Sequence, residues 1–158
     1  ISQYFDSMSI CLSKGLGAPV GSLLLGSHVD IAKARRWRKV LGGGMRQAGI
    51  LAAAGKIALT DNVSRLHQDH QNAKYLGELL SGIEGISVSL EHVQTNMVFI
   101  DIADSIDIVK LADFLRLQKI LITPSKKLRL VTHLDISKNN IDTFVQCVAE
   151  ALPRCKQF

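Results

Sequence analysis

The sequence predicts an α/β protein in two parts, with strands and helices around a glycine-rich loop over residues 1–66, then a linking helix and a small α+β sandwich over 67–158. Three observations predict it. Short apolar runs of strand length alternate with segments of helical period, and a long helical segment after Asn62 separates two textures. After Gly85 the elements follow a ββαββα order, that of helices packed on one face of a mainly antiparallel sheet. The composition agrees: of 158 residues, 47% are hydrophobic and 21% charged, the balance of a folded globular chain. Lys and Arg number 19 against 14 Asp and Glu, for a net charge of +5 and a pI near 9.3. No apolar run approaches ~18 residues, so no membrane span is expected.

The chain opens on Ile1-Ser2-Gln3-Tyr4-Phe5-Asp6, without an initiator Met, a basic n-region or an apolar h-region, so a signal peptide is not expected and the front reads as truncated. Met8 to Leu12 is apolar and ends at Ser13-Lys14-Gly15, which predicts a buried strand entering a loop. Gly15, Gly17 and Pro19 preclude a regular element there, and Gly21 to Gly26 resumes as a second strand. A helix is expected from Asp30, its N-cap, with Ile31, Ala34, Val40 and Leu41 as apolar points, until Gly42-Gly43-Gly44 stops it. Met45 to Thr60 is rich in Ala and Gly, which predicts a buried, closely packed helix. Asn62 is expected to cap a third helix carrying Val63, Leu66, Ala73, Leu76 and Leu80 at helical spacing. Strands are then expected over Ile86–Leu90, Asn96–Ile102, Ile120–Thr123 and Leu128–Thr132, with a helix over Ser105–Leu117. A last helix from Asp135 or Ser137 presents Ile141, Phe144, Val145, Val148 and Leu152 on one face before Pro153.

Three cysteines, Cys11, Cys147 and Cys155, form no CxxC pair, which argues against a disulfide framework or a structural zinc site and fits reduced thiols in the cytoplasm or an organelle matrix. Lys14 is the first candidate for chemistry. It ends an apolar strand beside glycine, where burial would disfavour the ammonium form and leave a nucleophilic amine for Schiff-base chemistry. Gly15 and Gly17, lacking Cβ, would let a flat ligand approach the backbone. The bland alternative is a surface lysine in a strand-ending turn.

Arg129 is the second candidate: Leu128 and Leu130 face one way from its strand and Arg129 and Val131 the other. A guanidinium there matches a carboxylate with two parallel hydrogen bonds, or else is solvated on an open sheet face. The basic cluster Lys33, Arg35, Arg36, Arg38 and Lys39 spans barely two helical turns with one aromatic, Trp37, which argues against a nucleic-acid partner. A solvated helix face is the plain alternative. Support for an anionic cofactor is the sharper one, because Gly42 to Gly44 are expected to open the next helix with Arg46 in its first turn. His67 and His70 share a helix without a third ligand at any recognisable spacing, and His133 reads as strand-end structure, so no metal is expected.

The string Ser9-Ile10-Cys11-Leu12-Ser13-Lys14-Gly15-Leu16-Gly17-Ala18-Pro19-Val20-Gly21-Ser22 resembles the cofactor-lysine segment of the low-specificity L-threonine aldolases, which are fold-type I pyridoxal-phosphate enzymes. The resemblance continues in order through Ala34-Arg35-Arg36-Trp37-Arg38-Lys39, Gly42-Gly43-Gly44-Met45-Arg46-Gln47-Ala48-Gly49, Gln94-Thr95-Asn96-Met97-Val98-Phe99 and Leu128-Arg129-Leu130-Val131-Thr132-His133-Leu134-Asp135. It implies that residues 1–66 are the end of the large parallel-sheet, cofactor-binding domain and that 67–158 are the linking helix and small C-terminal domain. It implies pyridoxal 5'-phosphate as cofactor, Lys14 as the lysine that carries it with Ser13 alongside, and Arg129 as the binder of the substrate α-carboxylate. Similar enzymes are dimers or tetramers with sites near subunit interfaces, so Lys39 and Arg46 are expected to serve a neighbouring subunit's cofactor.

In that family the phosphate loop, the ring-stacking histidine and the aspartate on the pyridine nitrogen all precede the lysine segment, and only residues 1–13 precede Lys14 here. The implied activity, cleavage of L-threonine or allo-threonine to glycine and an aldehyde, is therefore expected of a full-length parent and not of residues 1–158 alone. The alternative from another class is a non-enzymatic remnant that keeps the small-domain fold and a subunit interface.

Overall fold

The structure is a computed structural model that describes residues 2–157, with Ile1 and Phe158 outside the described residues. It divides after Arg65 into two compact units. No helix among the described residues is long and apolar enough to cross a membrane.

In the first unit, β1 (Ser7–Cys11) pairs antiparallel with β2 (Ser22–Gly26) in a register running from Ser7 opposite Gly26 to Cys11 opposite Ser22. Helix α1 covers His28–Val40 and α2 covers Gly49–Thr60. Ser27, not Asp30, caps α1: its hydroxyl accepts from the Asp30 N–H, and Asp30 stands in the first turn, where a carboxylate faces unpaired amides. The helix expected from Met45 begins only at Gly49. Gln47 takes a left-handed φ of 50°, and Ala48 in the N-cap position offers no side-chain acceptor. Nor is α2 buried among the described residues. Only Gly55 and Ala58 are covered, while Ile50, Ile57 and Leu59 face outward. The strands expected to be buried are likewise half-open, with Leu24 and Leu25 exposed and Leu12, just beyond β1, covered.

Helix α3 (Asn62–Ser81) starts in the first unit and runs into the second. Asn62 is its first residue rather than its cap, and its side chain is engaged elsewhere. In the second unit β3 (Ile86–Val88), β4 (Met97–Ile102) and β5 (Lys127–Val131) form an antiparallel sheet with β4 central. The alternation along β4 buries Val98, Ile100 and Ile102 on one face. Against them pack Ala73, Leu76 and Leu80 of α3, Leu111 and Leu115 of α4 (Ile108–Leu117), and Ile141 and Val148 of α5 (Lys138–Ala151). Phe144 and Val145 close the edge of this core, as the α5 spacing predicts. Ser137 caps α5 in a reciprocal box with Asn140, resolving the choice between Asp135 and Ser137.

The strand expected over Ile120–Thr123 is absent. Lys119 adopts φ 62°, and the Ile120 N–H turns back to the Leu115 carbonyl at 2.9 Å, so the α4 terminus takes the hydrogen bond a strand would need. At the other end of α4, Asp107 accepts from the N–H groups of Val109 and Lys110. The Lys110 amide does most to hold the Asp107 carboxyl below its ordinary value, against an opposing effect of burial. A depressed carboxyl stabilises the fold in full above the carboxylate range and loses that contribution as pH falls through it. Asp107→Asn keeps an N-cap acceptor, so in urea titrations the gap between wild type and variant should be present at pH 7 and shrink toward pH 3. A gap that stays constant with pH would assign Asp107 no electrostatic part.

Candidate functional site

The segment joining β1 to β2 is fixed at its base by apolar packing and main-chain bonds. The Leu12 N–H reaches the Gly21 carbonyl at 2.9 Å, and the Ala18 N–H reaches the Leu12 carbonyl at 3.0 Å. Leu12 and Ala18 are buried with Ala58 of α2. Gly55 allows the approach of that helix, since a Cβ there would stand 3.1 Å from Leu12 Cδ1. A turn follows in which the Gly17 N–H donates to the Lys14 carbonyl at 2.8 Å, and its φ of 75° explains glycine at position 17. Two carbonyls of this turn are then claimed from α3: Asn62 Nδ2 donates to Leu16 O at 2.8 Å and Arg65 donates to Gly15 O at 3.3 Å.

Lys14 therefore projects from a backbone anchored on both sides. Its side chain is exposed and makes no hydrogen bond or ion pair among the described residues. This corrects the expectation of a desolvated lysine: Lys14 lies past the end of β1 on the outside of the turn, where this chain supplies no apolar cover. Ser13 is exposed beside it, with Oγ 3.5 Å from Cys11 Sγ. The Ser13 hydroxyl and then its backbone N–H do most to lower the Cys11 thiol from its ordinary value, and the Lys14 ammonium adds to this.

Lys39 lies in the last turn of α1, and its stem lies directly against Gly44. Arg46 is exposed in the bend before α2. The placement of Arg46 in a first helical turn is thus corrected. Gly42 to Gly44 end α1 and do not open α2, because Met45, Arg46, Gln47 and Ala48 separate them from the first helical residue. Both cations are exposed parts of the same unit as Lys14 and Ser13.

Arg129 belongs to the second unit, on the open face of the sheet opposite Phe99. Leu128 points into the core while Arg129, Val131, Phe99 and Met97 are exposed, so the alternation read from the sequence holds. The neighbouring pair on that face is Lys127 with Asp101, at 3.8 Å. A shallow depression of 280 Å³ lies on the β3–β4 side, lined by Ser87, Ser89, His92, Val93, Phe99 and Asp101.

Sequence reasoning missed the polar net that fixes the end of β5. Thr132 is 1% exposed, and its hydroxyl donates to the Asp69 carbonyl at 2.7 Å. Its N–H donates to Asn96 O at 2.9 Å, and Asn96 Nδ2 returns a bond to Thr132 O at 2.8 Å. Asn72, also buried, donates to Ile136 O at 3.0 Å. The detectable signal was polar residues, Asp69 and Asn72, at positions of α3 that share the buried face with Ala73 and Leu76.

Two of the histidines have local partners: His67 lies 3.0 Å from Gln71, and His133 Nδ1 accepts from the Asp135 N–H at 3.3 Å. Among the described residues no three His, Cys, Asp or Glu side chains gather in a way that could hold a metal.

Comparison with known proteins places these features in a family. Over 141 residues, 89% of this chain, it is 48% identical to the low specificity L-threonine aldolase of Escherichia coli strain K12, of which it covers 41%. It is 43% identical over 151 residues to low-specificity L-threonine aldolase 1 of Arabidopsis thaliana, covering 93% of this chain and 42% of that protein. The chain thus spans about two fifths of the length of these relatives. A candidate L-allo-threonine aldolase from Listeria monocytogenes EGD-E superposes with a TM-score of 0.77 at 18% identity, over 95% of this chain and 45% of that one. A PLP-dependent aminotransferase from Streptococcus suis 89-1591 does so with a TM-score of 0.71 at 15% identity, over 96% of this chain and 43% of that one. The fold is therefore part of the fold-type I architecture that these enzymes share. With the beta-eliminating lyase model matching residues 1–103 of the 158, the chain belongs to the beta-eliminating lyase family.

Proposed function

We propose that this chain is the C-terminal part of a pyridoxal-phosphate enzyme that cleaves L-threonine, allo-threonine and related β-hydroxy-α-amino acids to glycine and an aldehyde. The observation that carries this reading is the 43–48% identity to named low-specificity L-threonine aldolases. On this reading residues 1–66 complete the large cofactor domain and 67–158 are the linking helix and small domain. The enzyme assembles as a homodimer or homotetramer and works in the cytoplasm.

The donor set fits such a cofactor. An exposed lysine on an anchored, glycine-bearing turn suits a carbonyl group, and Ser13, Lys39 and Arg46 are donors suited to a phosphate. The chemistry supplied by bound pyridoxal phosphate is withdrawal of electrons from the substrate Cα. Lys14 would hold the cofactor covalently through its side-chain amine, the same group that would release the product. Arg129 offers its two parallel N–H donors to the α-carboxylate and so orients the bond that breaks.

The test is the full-length protein incubated with pyridoxal phosphate and L-threonine, with glycine and aldehyde measured. Absence of both at saturating cofactor would sink the reading. Arg129→Lys keeps the charge and loses the planar fork, so it should weaken glycine binding by about 1–3 kcal/mol with cofactor content unchanged. Glycine titration reports it, and an unchanged affinity would leave Arg129 a solvated residue of the open sheet face.

A further inference from the structure

We infer that Asn62 is a positioning residue for Lys14, acting through the turn that carries it. The inference rests on the reading of Lys14 as the cofactor lysine. Three observations point to it. At position 62 the expected use of an asparagine is to cap the helix, yet Asn62 is the first residue of α3 and spends its amide on a carbonyl 46 residues earlier in the chain. That carbonyl, Leu16 O, lies inside the turn closed by Gly17 N–H on Lys14 O, and the preceding carbonyl, Gly15 O, is taken by Arg65 from the next turn of the same helix. Finally, Lys14 makes no side-chain bond of its own among the described residues, so the direction in which it projects is set by its backbone.

The apolar packing of Leu12 and Ala18 on α2 fixes the base of the loop. The Leu16 side chain packs against the same cluster, and the Gly15 and Leu16 carbonyls are held by hydrogen bonds from α3, of which Asn62 supplies the shorter. A nucleophile displaced by about 1 Å can lose on the order of 10²-fold in rate, so an anchor on its turn bears on catalysis without touching substrate.

The test compares the full-length wild-type enzyme with Asn62→Asp, Asn62→Ala and Asn62→Gln. Asp keeps the shape and removes the donor, while a carboxylate in a first helical turn favours the helix, so loss of α3 does not explain its phenotype. Ala is the best helix former and guards against repulsion between Asp and Leu16 O. Expected in both is about tenfold faster hydrogen exchange at the Gly17 amide, about tenfold lower kcat with KM for threonine within twofold, and a melting temperature close to wild type. Asn62→Gln, which retains the amide, should recover most of the kcat. Borohydride reduction and peptide mapping of the wild type is run in parallel. With the label on Lys14, unchanged Gly17 exchange and kcat in Asn62→Asp and Asn62→Ala overturn the inference while the cofactor reading stands. With the label on another lysine, the cofactor reading falls and the inference falls with it.

Discussion

Lys14→Ala in the full-length enzyme should abolish covalent retention of pyridoxal phosphate and lower threonine cleavage on the order of 10³-fold or more, the scale of losing a covalent catalyst. The fold should be untouched. Lys14 is exposed and its side chain bonds to nothing among the described residues, so its removal falls among surface substitutions worth about 0.5 kcal/mol or less. That separation gives the experiment its force: the visible band of the bound cofactor disappears, while far-UV dichroism stays and the cofactor-free forms of wild type and variant melt at the same temperature. Borohydride reduction of the wild type followed by peptide mapping locates the attachment directly. Reduced cofactor on any lysine other than Lys14 defeats the central assignment, whatever the kinetics of the variant.

The second unit was largely legible in the sequence because each of its elements has its own period and its own partner. The β4 sequence Met-Val-Phe-Ile-Asp-Ile alternates, and alternate residues are buried. The α5 spacing of Ile141, Val145 and Val148 marks the face that packs. The error at Ile120–Thr123 has a definite cause. The β-branched residues Ile120, Ile122 and Thr123 after a helix satisfy strand propensity, but the left-handed turn at Lys119 sends the Ile120 amide back to the helix, and no glycine announces it. Periodicity is silent on such turns.

Legibility of the candidate site differed between its residues. Lys14 stood out through its glycines, and Gly17 has the positive φ that such a reading requires. Arg129 stood out through strand alternation, and it faces away from the core. Desolvation of Lys14 and burial of the Met45–Thr60 segment were misjudged for a common reason. Apolar and glycine-rich residues record that a surface has to be covered, but not that residues 2–157 do the covering, and Ile50, Ile57 and Leu59 remain exposed. The anchors Asn62, Thr132 and Asn96 escaped because a polar side chain's long-range partner leaves no local pattern; the bond from Asn62 to Leu16 spans 46 residues.

That asymmetry of cover leads to the other large expected effect. In residues 1–158 on their own, amides over residues 8–60 should exchange orders of magnitude faster than those of β4 and α5, and the chain should neither turn over threonine nor hold pyridoxal phosphate at full occupancy. Among the described residues of the first unit the buried apolar side chains are Leu12, Ala18 and Ala58. Fully burying one Leu is worth about 1.5–3 kcal/mol and an Ala less, whereas fixing each backbone residue costs about 1–2 kcal/mol. Such a unit needs further cover to persist. The second unit buries Leu80, Val98, Ile106, Leu111, Leu115 and their neighbours in one continuous core, enough to close on itself. Hydrogen exchange followed by mass spectrometry, at a concentration where light scattering reports a monomer, reads both units in one sample. Catalysis follows the same logic, because a loose Schiff base on a free lysine does not orient the bond to be cleaved. Slow exchange throughout residues 8–60 of the monomer, or threonine turnover by residues 1–158 that vanishes with Lys14→Ala, would mean that the first unit is stable and competent with the cover it already has.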